Sequence, residues 1–440
     1  MEPGVGCNLD DHTGARVLRS GDKESRDGAA AEWRQFGHLP VASAFGYASS
    51  VLALYSIGPY IAPLQQEFGW SRAQISFGLT IAAALSGLFC VPVGMLVDRI
   101  GPRPVGLFGV PLMSAAVALL GTATGKPGNW ILLWSLVAIG TLFVQATIWT
   151  TAVNSRFASS RGLALAVTLS GASIAASVFP ILSAGLIDRV GWRAAFTSLG
   201  GIWVTTVFPL LFFLFRSETK GHVGARRRST LDERPTTLEG MTLREGLRTP
   251  ALYKLVVASS CFTFTAVGAV VHFVPILRDS GAPPMEAAAL AGLVGIFSIV
   301  GRLGTGALLD RYPAHLVGAA AFLLPILGAT LLLADGTRFT SQALAAVAYG
   351  LTLGAEVDVI AYLTARHFGL RHFGALYGLL LTALSVGTAT GPLVAGAVFD
   401  HYGSYAIFLI LSAALLAISS IALASLGRPQ AALSTVAEPA

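Results

Sequence analysis

The sequence predicts an all-α membrane protein, with twelve transmembrane helices in two pseudo-symmetric six-helix bundles. Three observations lead there. Of 440 residues, 54% are hydrophobic and only 12% are charged, against about a quarter charged in soluble domains. Long stretches carry no charge at all, as in a chain whose main solvent is lipid. Finally, residues recur between the two halves at one fixed offset.

Crossing a bilayer takes roughly 20 apolar residues at about 1.5 Å each. Such stretches lie at 41–65, 73–97, 104–124, 129–153, 162–187 and 194–215, here spans 1 to 6. Spans 7 to 12 lie at 251–277, 286–309, 314–334, 340–365, 373–399 and 404–427. The chain thus divides into a disordered cytoplasmic tail (1–40), an N-terminal bundle (41–215), a cytoplasmic linker (216–250), a C-terminal bundle (251–427) and a cytoplasmic tail (428–440). The first forty residues are polar and lack the apolar core of a cleavable signal. With both termini inside, 21 Lys and Arg fall in inner segments and 6 in outer loops. That bias predicts cytoplasmic termini in a cell inner (plasma) membrane. It also accounts for the net charge of +6 without a nucleic-acid partner.

The repeat has an offset of 212 residues. Pro63 pairs with Pro275, Gly69 with Gly281, Gly162 with Gly374 and Pro180 with Pro392. Asp188, Gly191 and Phe196 pair with Asp400, Gly403 and Phe408. Gly94, Asp98 and Arg99 pair with Gly306, Asp310 and Arg311. Most matches are Gly, Pro or charged residues near span ends, where apolar composition cannot generate them by chance. They predict a duplicated six-helix unit.

After span 2 the chain reads Gly94-Met-Leu-Val-Asp98-Arg99-Ile-Gly101-Pro-Arg103. Gly94 permits close helix approach, Asp98 ends the helix near basic partners, and Gly101 permits a tight turn. Arg99 and Arg103 suit an anionic leaflet. The segment resembles the signature GxxxD[RK]xGxR of the major facilitator superfamily, and Gly306, Asp310 and Arg311 keep a degenerate copy. The resemblance implies a secondary transporter working by alternating access, with this motif latching the halves in the outward-open state. It also implies that spans 1, 4, 7 and 10 line the cavity. Phe68-Gly69-Trp70-Ser71-Arg72 and Ser298-Ile-Val-Gly-Arg302 resemble bacterial relatives of monocarboxylate and oxalate–formate transporters. In that family an arginine of span 8 binds the anion, which implies that role for Arg302. The animal carriers place a lysine in span 1, where this chain has Tyr55 and Ser56; oxalate carriers place one in span 11, where Thr382 and Ser385 stand. A dicarboxylate is disfavoured accordingly.

Arg302, Glu356 and Asp358 lie inside spans, where an ionised group needs water or a partner. Arg302 stands about 12 Å from the inner end of span 8, Asp358 about 12 Å and Glu356 about 15 Å from that of span 10. The two acids are about 200° apart on their helix, so only one can face a given partner. Arg302 is therefore a candidate for binding a substrate carboxylate, and Glu356 or Asp358 for coupling a proton by competing for it. A permanent structural ion pair is the other reading. Tyr55 and Tyr60 on span 1, Gln145, Trp149 and Asn154 on span 4, and His272 on span 7 are further cavity candidates, with packing or interfacial anchoring as the alternative.

The combined expectation is a monomeric, proton-coupled symporter of a small organic anion. A drug or metabolite exporter and a non-transporting sensor are the alternatives. No catalytic, phosphate-binding or metal-ligand motif occurs, and Cys7, Cys90 and Cys261 are scattered. No enzyme activity, cofactor or metal is expected.

Overall fold

The computed structural model describes residues 28–157, 159–215, 240–369 and 371–427. No β-strand occurs among them beyond one isolated bridge between Gly240 and Gly369. Eleven helices are long and apolar enough to cross a membrane. One of these, Arg161–Leu214, has 54 residues. Straight, it would measure about 80 Å, far beyond a hydrocarbon core of about 30 Å. It divides at Gly191, where φ is +75°, a region closed to most residues with a Cβ. Its repeat mate Gly403 also has positive φ, +67°, between spans 11 and 12. The described residues therefore form twelve spans.

Span 1 runs His38–Phe68, span 2 Arg72–Ile100, span 3 Pro102–Thr122 and span 4 Pro127–Asn154. Span 7 is Pro250–Val271 continued by Phe273–Asp279. Spans 8 to 12 are Pro284–Leu309, Ala314–Asp335, Phe339–Phe368, Phe373–Tyr402 and Ala406–Ala424. Leu88, Met95 and Ile421 are each exposed by two thirds or more, an apolar belt that only lipid makes tolerable. Spans 1, 4 and 7 are broken, at Ser49–Val51, at 143–145 and at His272. Because the spans alternate, Asp98 and Asp310 share one end of the bundle, the motif end. Arg72, Asp279 and Asp400 share the other.

Residues 1–27, 216–239 and 428–440, most of the expected tails and linker, lie outside the described residues. One correction concerns the N-terminal tail: residues 28–36 are helical, not disordered. Trp33 packs edge-on against Phe157 with centroids 5.4 Å apart. The Glu32 carboxylate accepts hydrogen bonds from the backbone N–H of Ser159 and Ser160 at 2.9 and 3.1 Å. Ser160 precedes span 5 and caps nothing with its own side chain, so Glu32 supplies the anion that a helix N-terminus favours. At the linker's far end, Thr242 and Glu245 form a capping box on the short helix Leu243–Gly246.

Glycines set how closely spans 8 and 10 approach. A Cβ on Gly301 would lie 1.9 Å from the Leu351 carbonyl oxygen, and one on Gly354 1.8 Å from that of Ser298. Neither gap admits even a methyl group, so the contact is backbone on backbone. It fixes Arg302 beside span 10. Gly354→Ala should destabilise the purified protein by about 1–3 kcal/mol, read as a lowered midpoint of thermal unfolding. Gly378→Ala, where nothing lies within 4 Å, should stay within about 0.5 kcal/mol.

Candidate functional site

Spans 8 and 10 bring Arg302 and Asp358 together. Arg302 Nη1 lies 3.6 Å from Asp358 Oδ2, with side chains 16% and 34% exposed. Guanidinium–carboxylate bonds ordinarily measure about 2.7–2.9 Å and are often forked. At 3.6 Å the charges attract without a hydrogen bond. Arg302 Nε is buried and has no hydrogen-bond partner among the described residues. The guanidinium therefore keeps donors to offer.

Glu356, two residues earlier, turns the other way. It is 6% exposed, and its Oε1 accepts a hydrogen bond from Thr263 Oγ1 of span 7 at 2.6 Å. The structure thus separates the two acids as the helical angle requires. Asp358 faces Arg302 and Glu356 faces span 7.

Three tyrosines approach this cluster. Tyr47 on span 1 lies within electrostatic reach of Arg302 and Asp358, and Tyr55 within reach of Arg302 and Glu356. Tyr377 on span 11 is within reach of Asp358, Glu356 and Tyr47. Residues of both halves therefore lie within electrostatic reach of these charges. Sequence reading named Tyr55 and missed Tyr47, Tyr377 and Thr263. The only available signal was a polar side chain on an otherwise apolar helix, which many packing residues also give.

Several expected cavity residues lie elsewhere. Tyr60 is fully buried and stacks on Phe196 at 3.6 Å between centroids, so it belongs to the N-terminal core. Trp149 is also fully buried. Its indole fills the space left by Gly46 and Gly106, and Nε1 donates to the Val144 carbonyl at 2.9 Å. Both are corrected to packing residues in this conformer. His272 is fully buried at the end opposite the motif. It contacts Ser76 Oγ at 3.0 Å, Tyr405 Oη at 2.7 Å and the Pro392 carbonyl at 2.9 Å. All its polar capacity is taken, which removes it from the binding candidates here. Gln145 sits at the break of span 4, partly exposed and without a side-chain hydrogen bond among the described residues. Asn154 ends that span with Oδ1 buried and unpartnered.

The motif residues are disengaged. Asp98, Arg99, Gly306, Asp310 and Arg311 are exposed, and a Cβ on Gly94 would meet nothing within 4 Å. Gly101 turns the chain at φ +92°. Arg103 Nη2 donates to the Phe212 carbonyl at 3.3 Å, within its own half.

The sequence profile of the Major Facilitator Superfamily matches residues 43–355. The chain belongs to the major facilitator superfamily. It is thus a multi-pass membrane transporter of small molecules rather than an enzyme. Among relatives of this superfamily member, monocarboxylate transporter 13 of Rattus norvegicus is 28% identical over 395 residues, covering 88% of each chain. A gallate transporter of Pseudomonas putida is 25% identical, over 74% of this chain and 81% of that one. A chloramphenicol resistance protein of Streptomyces lividans is 26% identical, over 73% and 79%. Among solved structures, a bacterial homolog to the human lysosomal transporter Spinster, inward-facing and unoccupied, shares the fold. Its TM-score is 0.62 at 18% identity, covering 89% of this chain and 94% of that one.

The packing role of Trp149 has a measurable consequence. Trp149→Ala should destabilise by about 3–5 kcal/mol, whereas the partly exposed Gln145→Ala should change unfolding by less than about 1 kcal/mol. Thermal unfolding in detergent distinguishes the two.

Proposed function

We propose that this carrier moves a small organic anion, a monocarboxylate, by proton-coupled symport. The observation that carries the reading is the loose Arg302–Asp358 pair. Arg302 sits at mid-membrane depth with an unpartnered Nε and a carboxylate at 3.6 Å. A pair evolved for stability would be forked and short. The same protein has one, Arg72–Asp279, at 2.6 and 3.0 Å. Arg302 is instead held by a partner it can exchange.

A substrate carboxylate matches the guanidinium fork better than Asp358 does here. Protonation of Asp358 removes the competing charge and frees Arg302 for the anion. Release of the anion returns Asp358 to Arg302 and expels the proton. Asp358 is the coupling acid in this scheme, because Glu356 is already held by Thr263. Similarity to a gallate transporter and a monocarboxylate transporter agrees with this substrate class. The motif end faces the cytoplasm of a cell inner membrane, as the Lys and Arg bias requires. Each chain carries both halves and acts as a monomer.

Similarity to a chloramphenicol resistance protein favours a second reading, a proton-driven exporter that uses Glu356 to attract a cationic or polar drug. Proteoliposomes with an imposed pH gradient separate the two. Symport predicts accumulation of radiolabelled lactate or gallate when the outside is acidic. Arg302→Lys should cut that uptake by roughly tenfold or more, since an ammonium cannot fork. Asp358→Asn should retain exchange but abolish the acid stimulation. Full uptake by Arg302→Lys would exclude the substrate role, and outward chloramphenicol extrusion without carboxylate uptake would favour the exporter.

A further inference from the structure

The segment Phe68-Gly69-Trp70-Ser71-Arg72 has no part in the site around Arg302, yet it stands where the two halves meet at the end opposite the motif. Arg72 is 7% exposed. Its guanidinium forks onto Asp279 of the C-terminal half, with Nη1–Oδ2 2.6 Å and Nη2–Oδ1 3.0 Å. Nη1 also donates to Tyr405 Oη at 2.9 Å, and Nε to Gln65 Oε1 at 3.0 Å. The guanidinium carbon lies 3.5 Å from the Phe399 ring centroid. All three nitrogens of this buried cation thus donate, mostly across the seam.

The backbone contributes a second tie. The first four N–H groups of any helix lack partners inside it. In span 2, Ser71 N–H goes to Gln74 Oε1 at 3.0 Å and Gln74 N–H to Ser71 Oγ at 3.2 Å. The other two, Arg72 N–H and Ala73 N–H, go to the two carboxylate oxygens of Asp400, each at 2.8 Å. Asp400 ends span 11. The N-terminal half's helix is therefore capped by the C-terminal half's carboxylate. Buried beside this, His272 bridges Ser76 to Tyr405.

The repeat supplies an internal comparison. At the 212-residue offset Asp188 is the mate of Asp400, and Pro284 the mate of Arg72. Proline has no N–H to give, and Glu286 already places an acid in the first turn of span 8. Asp188 is exposed and has no hydrogen bond or ion pair among the described residues. The seam between spans 5 and 8 instead rests on small residues: a Cβ on Gly295 would lie 2.3 Å from Ser177 N. One seam is bonded and its mate is merely packed.

We propose that Arg72 and Asp400 form a latch that holds the end opposite the motif shut, while the seam of spans 5 and 8 serves as its fulcrum. Opening parts the Asp400 cap and the Arg72–Asp279 fork together, and water then solvates the freed N–H groups. Both are positioning residues for the conformational cycle and touch no substrate.

The test needs neither a known substrate nor a known orientation. Cys7, Cys90 and Cys261 are replaced by Ser, and spin labels are placed at Lys126→Cys and Thr337→Cys, exposed loop positions on the two halves at the latched end. Electron–electron resonance in lipid nanodiscs reads the distance between them. The parent should give mainly one short distance. Arg72→Gln and Asp400→Asn should each raise the long-distance fraction about tenfold, the effect of losing charge-assisted hydrogen bonds. The exchange Arg72→Asp with Asp279→Arg should restore part of the short distance, and Asp188→Asn should leave the parent distribution unchanged. Unchanged distances in Asp400→Asn, or equal opening in Asp188→Asn, would overturn the latch. Should Arg72→Gln fail to fold, Asp400→Asn, which keeps the shape of its side chain, decides alone.

Discussion

Hydrocarbon offers no hydrogen bonds, so every departure from a continuous helix must be satisfied by protein. The three breaks in spans 1, 4 and 7 each obey this. In span 1, Trp203 Nε1 donates to Ser49 Oγ at 2.9 Å, and Ser50 Oγ donates to the Tyr47 carbonyl at 2.7 Å. In span 4, Phe143 and Val144 form tighter i−3 bonds to Gly140 and Thr141 at 3.2 and 3.1 Å, and the Trp149 indole takes the Val144 carbonyl. In span 7, His272 turns its whole ring into cross-helix contacts. Broken helices at membrane depth mark where backbone can bend without facing lipid, and here all three breaks fall on spans that the superfamily uses to line its cavity.

Arg72 and Arg302 meet the same burial in different ways. Both are largely buried, and both face an aspartate. Arg72 donates from all three nitrogens, three of its four bonds cross to the other half, and an aromatic ring covers its face. Arg302 keeps an empty Nε and stands back from Asp358 at 3.6 Å. Burying a charge is costly in either case. In the first the cost is offset by hydrogen bonds from all three guanidinium nitrogens, which rigidify. In the second it is left partly uncompensated.

Much of this was legible in the chain. Span count and the repeat, with Gly191 and Gly403 among its matched positions, follow from composition and spacing alone. Counting residues from span ends placed Arg302 and Asp358 at one depth, and they do meet. The helical angle between Glu356 and Asp358 correctly required different partners. What failed was the choice of face. Trp149 and Tyr60 are aromatic residues on lining helices, but Gly46, Gly106 and Phe196 from other spans claim them. No pattern within span 4 or span 1 encodes those neighbours. The role of Arg72 was equally hidden, since Asp279 and Asp400 lie 207 and 328 residues away in sequence. The helix at 28–36 was misread because its polar composition resembles a tail, while Glu32 serves a helix start that lies 128 residues later.

The two ends of the bundle are packed differently. At the end bearing Arg72, hydrogen bonds and backbone contacts cross the seam, among them Thr80 Oγ1 to the Ala389 carbonyl at 2.6 Å. A Cβ on Gly396 would lie 2.6 Å from Ala73 N, so spans 2 and 11 could come no closer there. At the motif end, Gly94 and Gly306 have nothing within 4 Å, and Asp98 and Arg99 are exposed. Spans 2 and 11 therefore touch at one end and diverge toward the other. The bonds of Arg72 to Asp279 and Asp400 thus lie at the end where the two helices are in contact.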